Sequence, residues 1–214
     1  VDEGDPFNKL LHAKSINNLK ARNIFQEVES KIIDTPDANL KNVDITVEEK
    51  ATGEILVGAG VGSEGGTAQF SVSENNFLGK GVKLSTGLRI SETRVRGNFT
   101  VTNPNFNYSD KSLSTDIFLT DIDKLTDSGY KSTNAGFSFG TAFEQYDDFF
   151  FRPTFKTVYE ELTTNSAASA NLKKQEGTYF TTDIGYSLDL DKRNQRFQTT
   201  DGFQSKFIQN IPLI

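Results

Sequence analysis

The 214-residue sequence contains no cysteine, methionine or tryptophan, and its only histidine is His12. The lack of cysteine excludes disulfide cross-links. With a single histidine as well, a zinc site would have to be built mostly from carboxylates, which is unusual for zinc. The sequence therefore predicts no metal site, and nothing in it points to a cofactor.

Long hydrophobic runs are also missing, because hydrophobic residues make up only 35% of the chain and the mean hydropathy is -0.48. No stretch approaches the ~20 apolar residues of a transmembrane helix. A membrane is not excluded by this, since a transmembrane β-strand exposes only alternate residues to lipid. Basic residues form no stripe, and the net charge is -6. Nucleic acid is therefore not an expected partner.

No pattern typical of an enzyme is visible either. His12 falls on a predicted helix, and we interpret it as structural. Inward carboxylates at strand centres, such as Asp116 and Asp183, could in principle pair for acid–base work. The simpler interpretation is that they form ion pairs with arginines on the same face, namely Arg89, Arg94, Arg96 and Arg152. We predict that the protein is not an enzyme.

What the chain does contain is a glycine-rich stretch over residues 51–66, which separates two different patterns. One face of the strand predicted there carries Ile55, Val57, Ala59 and Val61. The other face carries Glu54, Leu56, Gly58 and Gly60, so it is nearly bare. A glycine-rich strand packs and pairs weakly, because glycine has no side chain and loses the most backbone entropy on ordering. No phosphate loop is indicated, since no helix and no Lys-Ser/Thr pair follow.

The pattern before this stretch is that of a small α/β unit. Pro6 and Asn8 precede a helical period, and a second helical turn is predicted over residues 21–25. Two strands follow over residues 28–33 and 43–47, joined by a turn over residues 35–39. We expect this sheet to have a partner strand upstream of Val1.

After the stretch, apolar and polar residues alternate in about nine strands. These strands are predicted over residues 54–61, 68–73, 82–90, 94–101, 113–120, 134–143, 149–159, 180–189 and 203–211. Alternation alone is also compatible with a soluble sandwich. Charged residues recur at strand centres opposite a nearly continuous Phe/Leu/Val/Ile face, which favours a transmembrane barrel with a polar interior. The fold class predicted is therefore mainly β, with an α+β unit followed by antiparallel barrel strands.

The predicted turns are of two kinds. Those over residues 74–79 and 103–110 carry aromatic residues and turn formers, whereas residues 160–177 form a long loop of small residues that we expect at the opposite end. Closed bacterial barrels have even strand numbers, but about nine strands are predicted here. We therefore expect the chain to be an incomplete barrel, one part of a longer protein.

Four motifs together resemble one family. They are Val47-Glu-Glu-Lys-Ala-Thr-Gly53, Asn75-Asn-Phe-Leu-Gly-Lys-Gly81, Val101-Thr-Asn-Pro-Asn-Phe106 and Phe197-Gln-Thr-Thr-Asp-Gly202. In order and spacing the set resembles the BamA family of outer-membrane β-barrel assembly proteins, which belongs to the POTRA-plus-barrel superfamily. The resemblance implies that residues 1–51 are the C-terminal part of the last POTRA domain and residues 52–214 the first part of the barrel. Related two-partner secretion or TamA-like transporters, and a passive outer-membrane channel, are the alternatives.

The resemblance also implies a function, a location and partners. The function is insertion and folding of outer-membrane β-barrel proteins, in the bacterial outer membrane with the N-terminal unit in the periplasm. Expected partners are unfolded outer-membrane protein clients, accessory assembly lipoproteins and membrane lipid. The first barrel strand would act as a lateral gate and strand template, through Glu54, Ile55, Leu56, Val57, Gly58, Ala59, Gly60 and Val61. Alternatively, its glycines only permit curvature and a thin wall.

A second client-binding edge is predicted in the N-terminal unit. Its residues are Val43, Asp44, Ile45, Thr46 and Val47. An exposed strand edge can pair with an extended peptide through backbone hydrogen bonds, which are indifferent to sequence.

Overall fold

A computed structural model of the protein describes residues 4–37, 40–195 and 198–213. The N-terminal unit begins with helix α1 (Lys9–Ala21), which is followed by strands β1 (Phe25–Asp34) and β2 (Lys41–Glu49). Asn8 caps α1, because its side chain accepts hydrogen bonds from the backbone N–H groups of Leu10 and Leu11. Such caps satisfy donors that have no partner within the helix. The start of the helix predicted after Asn8 is confirmed.

The second helical turn predicted over residues 21–25 is wrong. Ala21 is the last residue of α1, and Asn23 adopts a left-handed conformation with φ 58. Asparagine tolerates this conformation better than most residues, and it ends the helix. β1 then starts at Phe25, so this unit contains one helix rather than two within the described residues.

The predicted hairpin of this unit is confirmed. β1 and β2 pair antiparallel, with Val28 opposite Val47 and Ile32 opposite Val43. The turn is supported by Thr35, whose hydroxyl donates to the carbonyl of Asp37 at 2.8 Å. The other turn residues predicted, Ala38 and Asn39, lie outside the described residues.

All nine strands predicted after residue 51 are present. They are β3 (Gly53–Gly62), β4 (Gly65–Phe77), β5 (Val82–Ser91), β6 (Arg94–Asn103), β7 (Ser112–Lys124), β8 (Tyr130–Tyr146), β9 (Phe149–Thr164), β10 (Gly177–Asp191) and β11 (Gln204–Pro212). Each strand pairs antiparallel with the next, which makes one sheet in chain order. In the described part of the chain β3 and β11 form the two ends of this sheet and do not pair with each other.

The register separates an apolar face from a polar face. Ile117 lies opposite Phe99 on one side and Phe137 on the other, whereas its neighbour Asp116 lies opposite Thr100 and Ser138. Among the described apolar side chains only Ile24, Val28, Val158 and Ala168 are buried. A sandwich would cover the apolar face with a second sheet, and no second sheet lies against it in the described residues. The sandwich alternative is therefore rejected, and the apolar face is left for lipid.

Successive connections alternate between the two ends of the sheet. The turn after β4 and the loop after β6 lie at the end that adjoins the N-terminal unit, and the loop after β9 lies at the other end, as predicted. That loop is shorter than predicted, because β9 continues to Thr164 and residues 170–174 form a short helix, α2 (Ala170–Lys174). Ser169 caps α2 by accepting a hydrogen bond from the N–H of Leu172. Neither α1 nor α2, nor any other helix in the described residues, is long and apolar enough to span a bilayer.

Candidate functional site

The structure places all eight residues predicted for the lateral gate in β3. In the described residues β3 has one neighbour, β4, with Val57 opposite Phe70 and Ala59 opposite Ala68. The apolar face of β3 is strongly exposed, at 69% for Ile55, 76% for Val57 and 91% for Val61. Because β4 pairs with only one edge of β3, the N–H and C=O groups on the other edge have no strand partner within the described part of the chain.

The glycines of β3 leave space on its polar face. A Cβ atom added at Gly62 would meet nothing within 4 Å, and one added at Gly60 would meet only the Thr67 hydroxyl oxygen, at 3.7 Å. At Gly58 it would meet the flexible side chain of Gln69, at 3.0 Å from Nε2. None of these three glycines has a positive φ. Neither backbone conformation nor close packing within the described residues thus requires glycine at residues 60 and 62.

Side-chain bonds hold β3 mainly at its beginning. The Thr52 hydroxyl donates a short hydrogen bond to the Glu74 carboxylate, which also accepts from the N–H of Asn76 at 2.7 Å. Further along, one side-chain bond is found, from the Thr67 hydroxyl to the carbonyl of Gly60 at 3.2 Å. The turn at the far end is closed by Glu92, which accepts from the N–H of Gly66 at 3.0 Å. Between these points β3 relies on its backbone ladder.

The second predicted edge lies in β2, where Val43, Asp44, Ile45, Thr46 and Val47 all fall. β2 pairs with β1, and its other edge has no strand partner in the described residues. A groove of about 510 Å³ is lined by the first half of β2, by the segment that leads into α1, and by His12 and Ser15 of α1. At the first residue of β2, the Lys41 ammonium lies 2.8 Å from Asp34 and lowers the pKa of that carboxyl.

His12 lies at the interface between α1 and β1. Its Nε2 is 2.8 Å from the Ser30 hydroxyl, and its ring is 5.8 Å from that of Phe7. These contacts tie the helix to the hairpin, which supports the structural interpretation. The described residues contain no group of three or more potential metal ligands.

The prediction that Asp116 and Asp183 pair with arginines on the same face is wrong for the described residues. Asp116 accepts hydrogen bonds from the hydroxyls of Thr100, at 2.8 Å, and Ser138, at 3.4 Å. Asp183 lies opposite Lys156 in the register. The register decides which charges meet, and an alternating pattern does not contain it.

The arginines take other partners. Arg152 pairs with Asp189 at 3.0 Å, and Arg94 pairs with Glu64 at 2.9 Å. Sequence reasoning missed both partners. Asp189 lies on β10, next to Arg152 on β9, whereas Glu64 lies in the turn between β3 and β4 and pairs with Arg94 on β6, so no spacing along adjacent strands would have identified that pair. Sequence reasoning also missed that Arg89, Arg94 and Arg96 line one cavity.

A single antiparallel sheet with one polar face, one uncovered apolar face and membrane-length strands defines a membrane β-barrel class of protein, here as an open segment. Residues 76–213 match the Omp85 superfamily domain, which is more than half of the chain. The chain belongs to the Omp85 superfamily. This agrees with the outer-membrane location that the resemblance implied.

The fold is similar to a crystal structure of BamA from Haemophilus ducreyi lacking POTRA domains 1-3. The TM-score is 0.70 at 19% sequence identity, and the match covers 100% of this chain and 44% of that chain. The chain thus spans less than half the length of that structure. The resemblance to BamA-like members of the superfamily, predicted from the four motifs, is confirmed.

Proposed function

We propose that this chain is the first part of a barrel that inserts and folds other β-barrel proteins in the bacterial outer membrane. In this proposal residues 1–51 are the end of a POTRA domain in the periplasm. Clients are unfolded outer-membrane proteins, and accessory assembly lipoproteins bind the same protein. The proposal is supported by the superfamily and by the fold shared with BamA.

The observation that carries the proposal is the construction of β3. It is an edge strand whose polar face is nearly bare, and Gly60 and Gly62 have no steric reason to be glycine within this chain. Removing side chains from a strand lowers the free energy needed to unpair it, because cross-strand side-chain contacts are the main source of sheet stability. A strand that unpairs easily exposes N–H and C=O groups, which an incoming strand can bind whatever its sequence.

This construction favours the gate over the alternative in which the glycines only allow curvature. Glycines needed for a close approach would have backbone or rigid side chains next to the missing Cβ atom, as Gly136 has. The energy for insertion would come from pairing and burial of the client itself.

A disulfide lock tests the proposal in the full-length protein. Residues 1–214 contribute no cysteine of their own that could compete with an introduced pair. One cysteine at Ala59 and one in the last strand of the complete barrel should close the seam. We expect this lock to abolish client insertion while the barrel stays folded, and reduction should restore insertion.

The matched control locks the other edge of the same strand. Ala59→Cys combined with Ala68→Cys joins β3 to β4, since these two residues are register partners. The gate needs only the second edge, so this variant should insert clients normally. Full insertion by the seam-locked protein would contradict the gate, and steady ion conductance in both locked proteins would favour a passive channel.

The edge of β2 is proposed as an earlier contact for clients. Its apolar residues are half exposed, with Ile45 at 45% and Val47 at 42%. Thr46→Pro and Asp44→Lys should weaken cross-linking of an unfolded client to the N-terminal unit. Unchanged cross-linking in both variants would remove β2 from the proposal without affecting the gate.

A further inference from the structure

Three arginines line a small cavity on the polar face, near the end of the sheet opposite the N-terminal unit. Arg89 on β5 and Arg96 and Arg94 on β6 surround about 90 Å³, together with Ser91 and with Glu64 from the turn after β3. Arg89 lies directly opposite Arg96 in the register. Like charges in directly opposed positions destabilise a sheet.

Only one of the three arginines has a counter-charge within the described part of the chain. Glu64 pairs with Arg94 at 2.9 Å, but no described carboxylate lies within ion-pair distance of Arg89 or Arg96. The Nε atom of Arg94 is buried and has no hydrogen-bond partner there. Donors of this kind normally find a partner when they are removed from water.

Another arginine on the same face is treated differently. Arg152 pairs with Asp189, which is 7% exposed and also accepts a hydrogen bond from Gln204 at 2.9 Å. At this position a carboxylate from the next strand neutralises the charge of the arginine. At Arg89 and Arg96 the sheet leaves two planar donors exposed on one side of a cavity.

We propose that Arg89, Arg94 and Arg96 form a binding site for the carboxylates of an acidic, unfolded polypeptide segment inside the barrel. A guanidinium group binds a carboxylate through two parallel hydrogen bonds, and two opposed guanidinium groups suit consecutive acidic side chains. The cavity opens on the polar face, away from the lipid-facing side. The site thus takes a polypeptide rather than an anionic lipid, and it does not depend on strand exchange at β3.

Binding is measured with the full-length protein in lipid nanodiscs and a fluorescent unstructured peptide of Asp, Ser and Gly. A peptide with Asn in place of Asp is the neutral probe. We expect the acidic peptide to bind and the neutral one not to, with affinity falling as salt is raised. Arg89→Gln should weaken binding by about tenfold or more, the typical loss of a charged hydrogen bond.

Lys83→Gln is the matched control. Lys83 lies on β5 and on the same face as Arg89, six residues away, or about 20 Å along the strand. The Lys83→Gln substitution removes one positive charge outside the cavity, so this variant should bind the peptide almost as tightly as the natural protein does. An equal loss in Lys83→Gln, or no loss in Arg89→Gln, would overturn the site. Displacement of the peptide by an anionic lipid would overturn it as well, by assigning the cluster to lipid.

Thermal unfolding separates binding from a structural role. Without peptide, the Arg89→Gln/Arg96→Gln variant should be as stable as the natural protein or more so, because charge repulsion is removed. With peptide, only the natural protein should gain stability. A lower melting temperature of the peptide-free variant would mean that the full barrel supplies a fixed counter-charge, and the proposal would fail. The seam-locked protein should still bind the peptide, whatever its insertion activity.

Discussion

The first strand of the sheet and the strands nearer its centre contact their neighbouring strands through different kinds of side chain. β3 has ten residues, of which Gly53, Gly58, Gly60 and Gly62 are glycine. β8 and β9 have 17 and 16 residues and carry aromatic contacts across the ladder, such as Phe139 to Phe155 at 5.6 Å and Phe143 to Phe151 at 5.7 Å. These central strands are joined by aromatic contacts, whereas β3 contains no aromatic residue and its polar face carries few side chains.

Glycine has opposite roles in these two regions. At Gly136 on β8, a Cβ atom would lie 2.3 Å from the Phe118 ring and 2.9 Å from the carbonyl oxygen of Thr157. The ring lies across the glycine, and Val158, the register neighbour on the other side, is 5% exposed. Glycine there permits tight packing. At Gly60 and Gly62 it leaves open space, so the same residue strengthens the centre and weakens the edge.

Filling the space at Gly136 should have the largest effect. Gly136→Val forces the Phe118 ring away, and overpacking of this kind costs about 3 kcal/mol of unfolding free energy. Urea unfolding of the full-length protein in lipid vesicles measures the loss. Gly60→Val is the control, because a Cβ atom there has only the Thr67 hydroxyl oxygen within 4 Å. Equal destabilisation by the two variants would contradict the different roles inferred for Gly136 and Gly60.

The second effect concerns the charge network beside β11. Asp189→Ala leaves Arg152 without its carboxylate and Gln204 without its acceptor, at a cost of about 2 kcal/mol. A double-mutant cycle with Arg152→Ala should recover part of this loss, since the two residues are in contact. Strict additivity in the cycle would show that the pair is not coupled.

A smaller change in the free energy of unfolding, of opposite sign, is expected for substitutions in the edge strand β3. Gly60→Val and Gly62→Val should each stabilise β3 by about 0.5–1 kcal/mol, because glycine loses the most entropy on ordering and no clash arises within this chain. Client insertion should slow down at the same time if β3 is a gate. The rate of insertion into proteoliposomes tests this, and stabilisation without slowing would speak for curvature alone.

The smallest effect is expected where the N-terminal unit touches the sheet. The Arg22 guanidinium donates to the Asn105 side-chain oxygen at 2.6 Å, in the loop after β6. Arg22→Ala should change barrel stability by less than about 1 kcal/mol, since this bond is only part-buried. It should increase hydrogen exchange in the loop over residues 104–111, with Lys14→Ala on the preceding helix α1 as the control. Unchanged exchange would mean that Arg22 does not hold this contact in solution.

Two errors of the sequence prediction have different physical causes. The helical turn over residues 21–25 failed because of the left-handed backbone at Asn23, and the loop over residues 160–177 was too long because β10 pairs with β9 up to Leu162. The second outcome depends on pairing between residues that are distant in the chain, which a local pattern does not contain. The turn residues Ala38, Asn39 and Phe197, which sequence reasoning also used, lie outside the described residues.

Period-two alternation was sufficient to locate all nine strands and to tell their apolar face from their polar face, because every strand in such a sheet has one lipid-facing side. The bare face of β3 could likewise be read from its glycines. Which charges meet across strands was decided by register alone: Arg89 lies opposite Arg96, while Arg152 finds Asp189. A shift of one residue in any strand would turn its side chains to the opposite face and separate these partners, and only the folded sheet sets the register.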